Sequence, residues 1–178
     1  MNDDIALFDM DGSLADYTTA LVNDLELLRS PTEYPITEYN IWTADKQPYI
    51  HARMRVIKSQ PGWWLRLSPL AAGLEVWDIC HRFGFHNVIL TKGPKKHTQA
   101  WDEKLQWCQK YIDPEVDVHV VSHKSGSYGK LLYDDYPEYM LSWLEHRPRG
   151  LGIMPVNSSN NSTIPRSLCI VALRTWTD

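Results

Sequence analysis

Four groups of residues have the types and spacing for chemistry on a charged ligand. Asp9 and Asp11 follow the apolar run Ile5 to Phe8, in the stretch Ala6-Leu-Phe-Asp-Met-Asp-Gly-Ser-Leu-Ala15. Period-two geometry puts both carboxylates on one side of a strand, unless the turn at Gly12 re-aims Asp11. Two acids so placed repel each other unless a cation or a shared proton offsets the charge. A surface Asp-Gly turn is the plainer alternative. Thr91 ends a second apolar run, Asn87-Val-Ile-Leu-Thr91, and offers a hydroxyl to a phosphate oxygen. Gly93 and the helix start behind it offer backbone N–H donors to an anion, although a Thr after a strand is also a common helix cap. Asp134 and Asp135 close a further apolar run, Leu131-Leu-Tyr-Asp-Asp135. Adjacent acids there are a liability unless they serve a cation, and oxygen donors fit Mg²⁺, which keeps waters and takes substrate phosphate in an octahedral shell. The competing reading is a surface turn at Asp-Asp-Tyr-Pro. Lys124, in Ser122-His-Lys-Ser-Gly, follows the remaining run; taken alone, a lysine in such a loop is solvated.

Four runs, residues 5–8, 87–91, 116–121 and 131–135, read as buried strands, and 151–156 as a fifth. Between them lie amphipathic helical patterns at 74–83, 95–111 and 139–145, with Trp101, Leu105 and Cys108 assigned to the inner face of the second. Strands alternating with helices imply α/β architecture with a parallel sheet and right-handed crossovers. Open sheets of this kind place ligands beyond the carboxyl ends of their strands, where all four groups fall. Residues 16–68 contain no credible strand. Helical spacing at 16–28, with Leu21, Leu25 and Leu28 on one face, and at 49–58 flanks a loop-like stretch, 31–48. A helical insertion directly after the first strand makes a small cap over the crevice. The expected domains are therefore a core of residues 1–15 and 69–178 and a cap of residues 16–68. Residues 158–163 read as a mobile polar linker, and 167–173 as an added edge strand.

The chain has 178 residues, 43% hydrophobic and 22% charged, with a formal net charge of −4. That length suits one domain with a modest insertion, and the charge argues against extended nucleic-acid binding. Cys80, Cys108 and Cys169 lack metal-ligand spacing and read as reduced thiols of a cytoplasmic protein. The acidic start runs straight into the first strand, so neither a signal peptide nor a membrane span is expected. Asn157-Ser-Ser, Asn160-Asn-Ser and Asn161-Ser-Thr fit the glycosylation pattern but are read as a polar loop.

Asp-Met-Asp-Gly-Ser, Thr91, Lys124 and Asp134-Asp135, in this order at successive strand ends, resemble the motifs of the haloacid dehalogenase (HAD) superfamily. Three stretches narrow the resemblance to its 5′(3′)-deoxyribonucleotidase family: residues 8–16, Gln60-Pro-Gly-Trp-Trp-Leu-Arg-Leu-Ser-Pro-Leu-Ala-Ala-Gly73, and 124–135. Residues 101–107 also look like the family's helix after its second motif. The resemblance implies a HAD-type, Rossmann-like three-layer core carrying a small cap. It implies Asp9 as nucleophile, Asp11 as general acid and base, and Thr91 and Lys124 on the transferring phosphoryl group. It further implies Mg²⁺ held by Asp9, the Asp11 carbonyl, Asp134 and Asp135. The implied reaction is hydrolysis of (deoxy)nucleoside monophosphates, with another small phosphate ester or a nucleic-acid end as the alternative substrate, and a non-catalytic nucleotide binder as the alternative of another class. A homodimer is compatible with it.

Two departures from the family pattern bear on substrate. Lys92 stands where the family has a small hydroxyl residue on the phosphate, so Lys92 and Gly93 are counted with the substrate-binding residues. Trp63-Trp64 stands where phenylalanines are commoner. In an extended segment these tryptophans point to opposite sides, so one is expected to anchor the cap and the other to face the crevice and stack on a base. Lys130 is the competitor of Lys124. His123 is read as a loop residue.

Overall fold

The computed structural model describes residues 4–94, 98–157, 160 and 170–173. Six short strands form one sheet: β1 Ile5–Phe8, β2 His86–Lys92, β3 Asp117–Val121, β4 Leu131–Tyr133, β5 Leu151–Pro155 and β6 Ile170–Leu173. Their spatial order is β3-β2-β1-β4-β5-β6, and every neighbouring pair is parallel. β1 lies at the centre because it is apolar on both faces. Leu7 packs on one face with Val88, Leu90, Leu132, Met140 and Trp143, whereas Ala6 and Phe8 pack on the other with Ile89, Leu131 and Tyr133. The sheet order reverses between β1 and β4, which opens a crevice at their carboxyl ends.

Among the described residues six helices flank the sheet or join its strands: α1 Tyr17–Leu27, α2 Glu38–Trp42, α3 Pro48–Lys58, α4 Ala71–Arg82, α5 Gln99–Tyr111 and α6 Pro137–Glu145. Buried side chains of α6 cover the Leu7 face of the sheet. Val76 and Cys80 of α4, with Ala100, Trp107 and Cys108 of α5, cover the other. The result is the expected α/β, Rossmann-like three-layer arrangement. Helices α1 to α3 lie between β1 and α4 in sequence and pack on one another through Leu21, Leu25, Ile41, Ile50, Met54 and Ile57. The chain leaves for them and returns side by side, with Asp16 N donating to the Ser68 carbonyl at 2.8 Å and Leu70 N to the Leu14 carbonyl at 2.8 Å. Asp16 also caps α1, accepting from Thr19 N at 3.1 Å.

Several local expectations are corrected. Residues 31–48 are not all loop, because they contain α2 and a short 3-10 turn, Ala44–Lys46, around buried Ile41 and Ala44. Leu28 lies past the end of α1 and is exposed. On α5 the buried stripe is Ala100, Glu103, Lys104, Trp107 and Cys108, while Trp101 and Leu105 face outward. The large apolar residues there sit one step, about 100°, round the helix from the true inner face. The fourth run ends as a strand at Tyr133, so Asp134 and Asp135 follow it in the loop. Residues 95–97, expected to begin the second core helix, lie outside the described residues, as do 158, 159, 161–169 and therefore Cys169. Among the described residues no helix is long and apolar enough to cross a membrane.

Candidate active site

The crevice between β1 and β4 gathers the acids. Asp9 follows β1 directly and extends its ladder, its N–H donating to the Tyr133 carbonyl at 2.8 Å. The chain then folds back on itself: Leu14 N and Ala15 N donate to the Met10 carbonyl at 2.9 and 2.8 Å. Gly12 adopts φ +81° at the tip of this loop, and a Cβ there would overlap the Asp135 carboxylate. Both the backbone conformation and the close approach select glycine. Ser13 Oγ accepts from Asp135 N at 3.1 Å, which ties this loop to the one after β4.

Carboxylate oxygens of Asp9, Asp134 and Asp135 lie within 4.8 Å of one another, and all three residues are buried. Lys124, in a short 3-10 turn after β3, places its ammonium between two of them, 2.5 Å from Asp9 Oδ1 and 2.7 Å from Asp134 Oδ2. Asp134 Oδ1 accepts from Tyr136 N at 2.9 Å. Burial pushes the Asp9 carboxyl up to about 7; the pull of Lys124 only partly opposes it, and Asp134 and Asp11 add to the rise. Asp135 is held well above the usual carboxylate range by burial and by Asp9 and Asp134. Burial works against the charge of Lys124, but Asp134 and Asp9 outweigh it and raise its pKa. Three crowded acids against one lysine leave a net negative, all-oxygen pocket, and that donor set fits a hard divalent cation. Asp11 stands apart from this group: its carboxylate is not among the three, so only its carbonyl remains for the metal role given it above.

Asp11 has a different partner, one that the sequence reading missed. Lys104 on α5 is wholly buried, and its ammonium donates to Asp11 Oδ2 at 2.5 Å, Thr91 Oγ1 at 3.0 Å and the Lys92 carbonyl at 2.9 Å. It also lies 4.4 Å from the centroid of the Trp64 ring. Asp11 Oδ1 is buried and has no hydrogen-bond partner. The signal was present in the sequence as a lysine at 104 on the helical stripe Ala100, Trp107 and Cys108. A lysine inside an apolar stripe needs a buried partner.

The remaining residues divide. Thr91 is fully buried beside this lysine, and among the described residues the next helix, α5, begins at Gln99. The open side of Gly93 is filled by the Trp101 indole. Lys92 points to Tyr139, with Nζ 2.8 Å from its hydroxyl and 4.5 Å from its ring centroid. Lys130 is half exposed and pairs with Asp4 at the opposite end of the sheet, far from the acid cluster in the strand order. His123 is exposed.

Trp63 and Trp64 do not sit in extended chain. Trp63 has φ −61° and ψ −45°, and Trp64 begins a 3-10 turn, so the two rings meet edge to face at 4.7 Å instead of pointing apart. Both are buried. Trp63 Nε1 donates to Asp24 Oδ2 at 2.7 Å and Trp64 Nε1 to the Lys58 carbonyl at 3.2 Å, while Tyr17 packs on both rings. Glu103 locks this corner to the core by accepting from Gly62 N at 2.7 Å and Trp64 N at 3.2 Å. The expected linker is anchored at one point: buried Asn160 donates to the Asp135 carbonyl at 3.0 Å, and Asn157 Nδ2 to Asp135 Oδ2 at 3.3 Å. With its amide so used, Asn160 is unavailable as a glycan acceptor.

The fold is similar to that of solved structures of HAD-like hydrolases. A haloacid dehalogenase-like hydrolase from Burkholderia xenovorans LB400 is similar over 98% of this chain and 96% of its own, with 16% identity and a TM-score of 0.53. A HAD family hydrolase from Deinococcus radiodurans R1, solved with bound phosphate and sodium, is similar over 97% and 91%, with 10% identity and a TM-score of 0.55. A family IA, variant 3 HAD hydrolase from Entamoeba histolytica covers 96% and 92%, at 11% identity and a TM-score of 0.51. No family model and no curated protein sequence matches the chain.

Proposed function

We propose that this chain is a Mg²⁺-dependent phosphatase that hydrolyses (deoxy)nucleoside monophosphates through an aspartyl-phosphate on Asp9. The observation that carries the reading is the ammonium of Lys124 lodged between Asp9 and Asp134, with Asp135 alongside, at the point where the sheet order reverses. The HAD-like fold, the phosphate bound to the Deinococcus neighbour and the sequence resemblance to deoxyribonucleotidases support it.

In this reading Asp9 attacks the phosphorus in line and the ester oxygen leaves. Lys124 neutralises charge on the nucleophile and on the equatorial phosphoryl oxygens, and the Thr91 hydroxyl completes the cradle. Lys104 holds Asp11 by Oδ2, which leaves Oδ1 as the atom that passes a proton to the leaving oxygen and later takes one from water. Asp9, Asp134, Asp135 and the Asp11 carbonyl would hold the Mg²⁺, whose charge would offset that of the acids and of the phosphate. The helices of residues 16–68 act as a cap, closing the crevice against bulk water. Lys92 lies on the substrate side, while the buried Trp63-Trp64 corner supports the cap.

The test is turnover of a nucleoside monophosphate panel in millimolar Mg²⁺, with and without chelator. Release of phosphate that chelator abolishes and Mg²⁺ restores supports the reading. Absence of turnover across the panel and across a generic aryl phosphate contradicts it.

A further inference from the structure

Among the described residues four lysines lie around the crevice, and one is not accounted for by the chemistry above. Lys104 and Lys124 each pair with carboxylates, and Lys92 turns to Tyr139. Lys58, at the end of α3, is half buried and turned toward Tyr17, with Nζ 3.1 Å from the hydroxyl and 5.6 Å from the ring centroid. Among the described residues no carboxylate lies within ion-pair distance of it. The cations nearest to it on the same helix behave otherwise: Arg53 pairs with Glu33, and Arg55 is exposed. A lysine with a free choice keeps its ammonium in water, and a sequestered charge without a counter-charge is costly. Burial accordingly lowers the pKa of Lys58, and Asp11 partly restores it. Asp11 likewise acts on Tyr17, whose pKa is raised first by burial and then by that carboxylate. Tyr17 stacks on the Trp64 ring at 5.9 Å, and Lys104, paired with Asp11, lies 4.4 Å from the centroid of the same ring, so the Lys58–Tyr17 pair shares that ring with the residue assigned to the leaving oxygen. Lys58 also borders a polar cleft of about 180 Å³ with Gln60, Thr98 and Gln99. The acid there, Glu103, already accepts from Gly62, Trp64 and Gln99.

We propose that Lys58 and the Tyr17 hydroxyl form an anion-recognition subsite on the leaving-group side, so that the preferred phosphate ester carries a second anionic group, a phosphate or a carboxylate. The proposal rests on the phosphatase chemistry above; because a nucleoside monophosphate carries no second anion, it moves the preferred substrate from the monophosphate to a doubly anionic ester such as a nucleoside bisphosphate. A second anion supplies the counter-charge that Lys58 lacks, and Tyr17 donates a hydrogen bond to the same group. Because binding energy remote from the reacting bond counts when it is also present in the transition state, the subsite raises kcat/KM for such esters over neutral ones.

The experiment compares kcat/KM for a nucleoside 3′,5′-bisphosphate, the matching 5′-monophosphate, a phosphorylated hydroxy acid and a simple alkyl phosphate, in wild type, Lys58→Met, Lys58→Arg and Tyr17→Phe. Wild type should prefer at least one doubly anionic ester over the alkyl phosphate. In Lys58→Met that ratio should collapse by about ten- to a hundredfold, in line with the loss of one charge-assisted contact. Lys58→Arg should recover most of it, and Tyr17→Phe should lose a smaller part. The rank of the bisphosphate against the hydroxy-acid ester tells phosphate from carboxylate. A ratio unchanged by Lys58→Met, or a fall shared equally by all four esters, overturns the subsite. If wild type turns over none of them, the phosphatase reading fails, and calorimetric titration of the bisphosphate still decides the subsite. Weaker binding to Lys58→Met upholds it, and equal binding overturns it.

Discussion

Replacing Lys104 by Met tests the least visible part of the site, because methionine keeps most of the volume and removes the charge. The lysine is wholly buried and makes three hydrogen bonds, to Asp11 Oδ2, Thr91 Oγ1 and the Lys92 carbonyl. Asp11 Oδ1 already lacks a partner, so the substitution leaves that carboxylate with none. Breaking one side of a buried pair in this way costs about 3–5 kcal/mol. Asp11→Asn alone takes the counter-charge from the buried lysine, which keeps Thr91 and the Lys92 carbonyl, and should cost a similar amount. In the double variant neither charge is left behind, so the two effects should fall short of their sum by about 1.5–3 kcal/mol. The assay is urea unfolding of all four proteins at neutral pH without metal, followed by two independent probes to establish a two-state transition. Additivity within about 0.5 kcal/mol would mean that the ion pair has no energetic reality, and with it would go the argument that Lys104 holds Asp11 for proton transfer.

Three further outcomes follow from the geometry. Lys124→Ala should lower kcat/KM by about a hundredfold or more, as loss of a preorganised cation at developing charge does, whereas Lys130→Ala should stay within threefold; the reverse ranking in a steady-state assay contradicts the placement of Lys124. Without metal, stability should fall as pH rises from about 4.5 to 7, because folded Asp9 and Asp135 hold protons that the unfolded chain has already lost. Melting temperatures should show this slope flattened by Asp9→Asn and reversed by millimolar Mg²⁺, and a metal-free protein that stabilises across that window refutes it. Trp63→Ala should destabilise by about 3–5 kcal/mol in urea, since it empties a buried ring site and leaves Asp24 with Arg66 as its remaining partner; a loss below about 1 kcal/mol would show that the tryptophan is not a structural anchor.

How much of this was legible beforehand depended on the kind of signal. The strands were, because parallel strands buried on both faces appear as unbroken apolar runs, and Asp9, Thr91, Lys124 and Asp134 each sit at or just after the end of one. The order of those ends in the sheet also put them in one crevice once β1 was central. Lys104 was hidden because the reading of α5 followed the largest apolar residues, Trp101 and Leu105, which point outward. The true inner stripe contains a charge, Lys104, and that charge is the informative residue. Helix α2 was hidden by its five-residue length and by the Pro, Thr and Tyr around it, a composition that reads as loop until Ile41 and Ala44 are seen to be buried. Trp63 and Trp64 were misread because the pair was taken as extended chain, whereas the Gly62 and Trp64 amides donate to Glu103 and hold the segment in a turn. Asn160 looked like linker, and Asn157 like polar loop, because nothing in a polar tract announces that its amides serve Asp135.

The central claim is that Asp9 becomes covalently phosphorylated, and trapping tests it most directly. Protein mixed with Mg²⁺ and an ester that it hydrolyses is quenched in acid within one turnover, then reduced with borohydride, which converts an aspartyl-phosphate to homoserine. Peptide mass spectrometry should find homoserine at residue 9 alone, and none in protein quenched before substrate is added. An unmodified Asp9 in protein that is visibly releasing phosphate, or a modified residue elsewhere, contradicts the account.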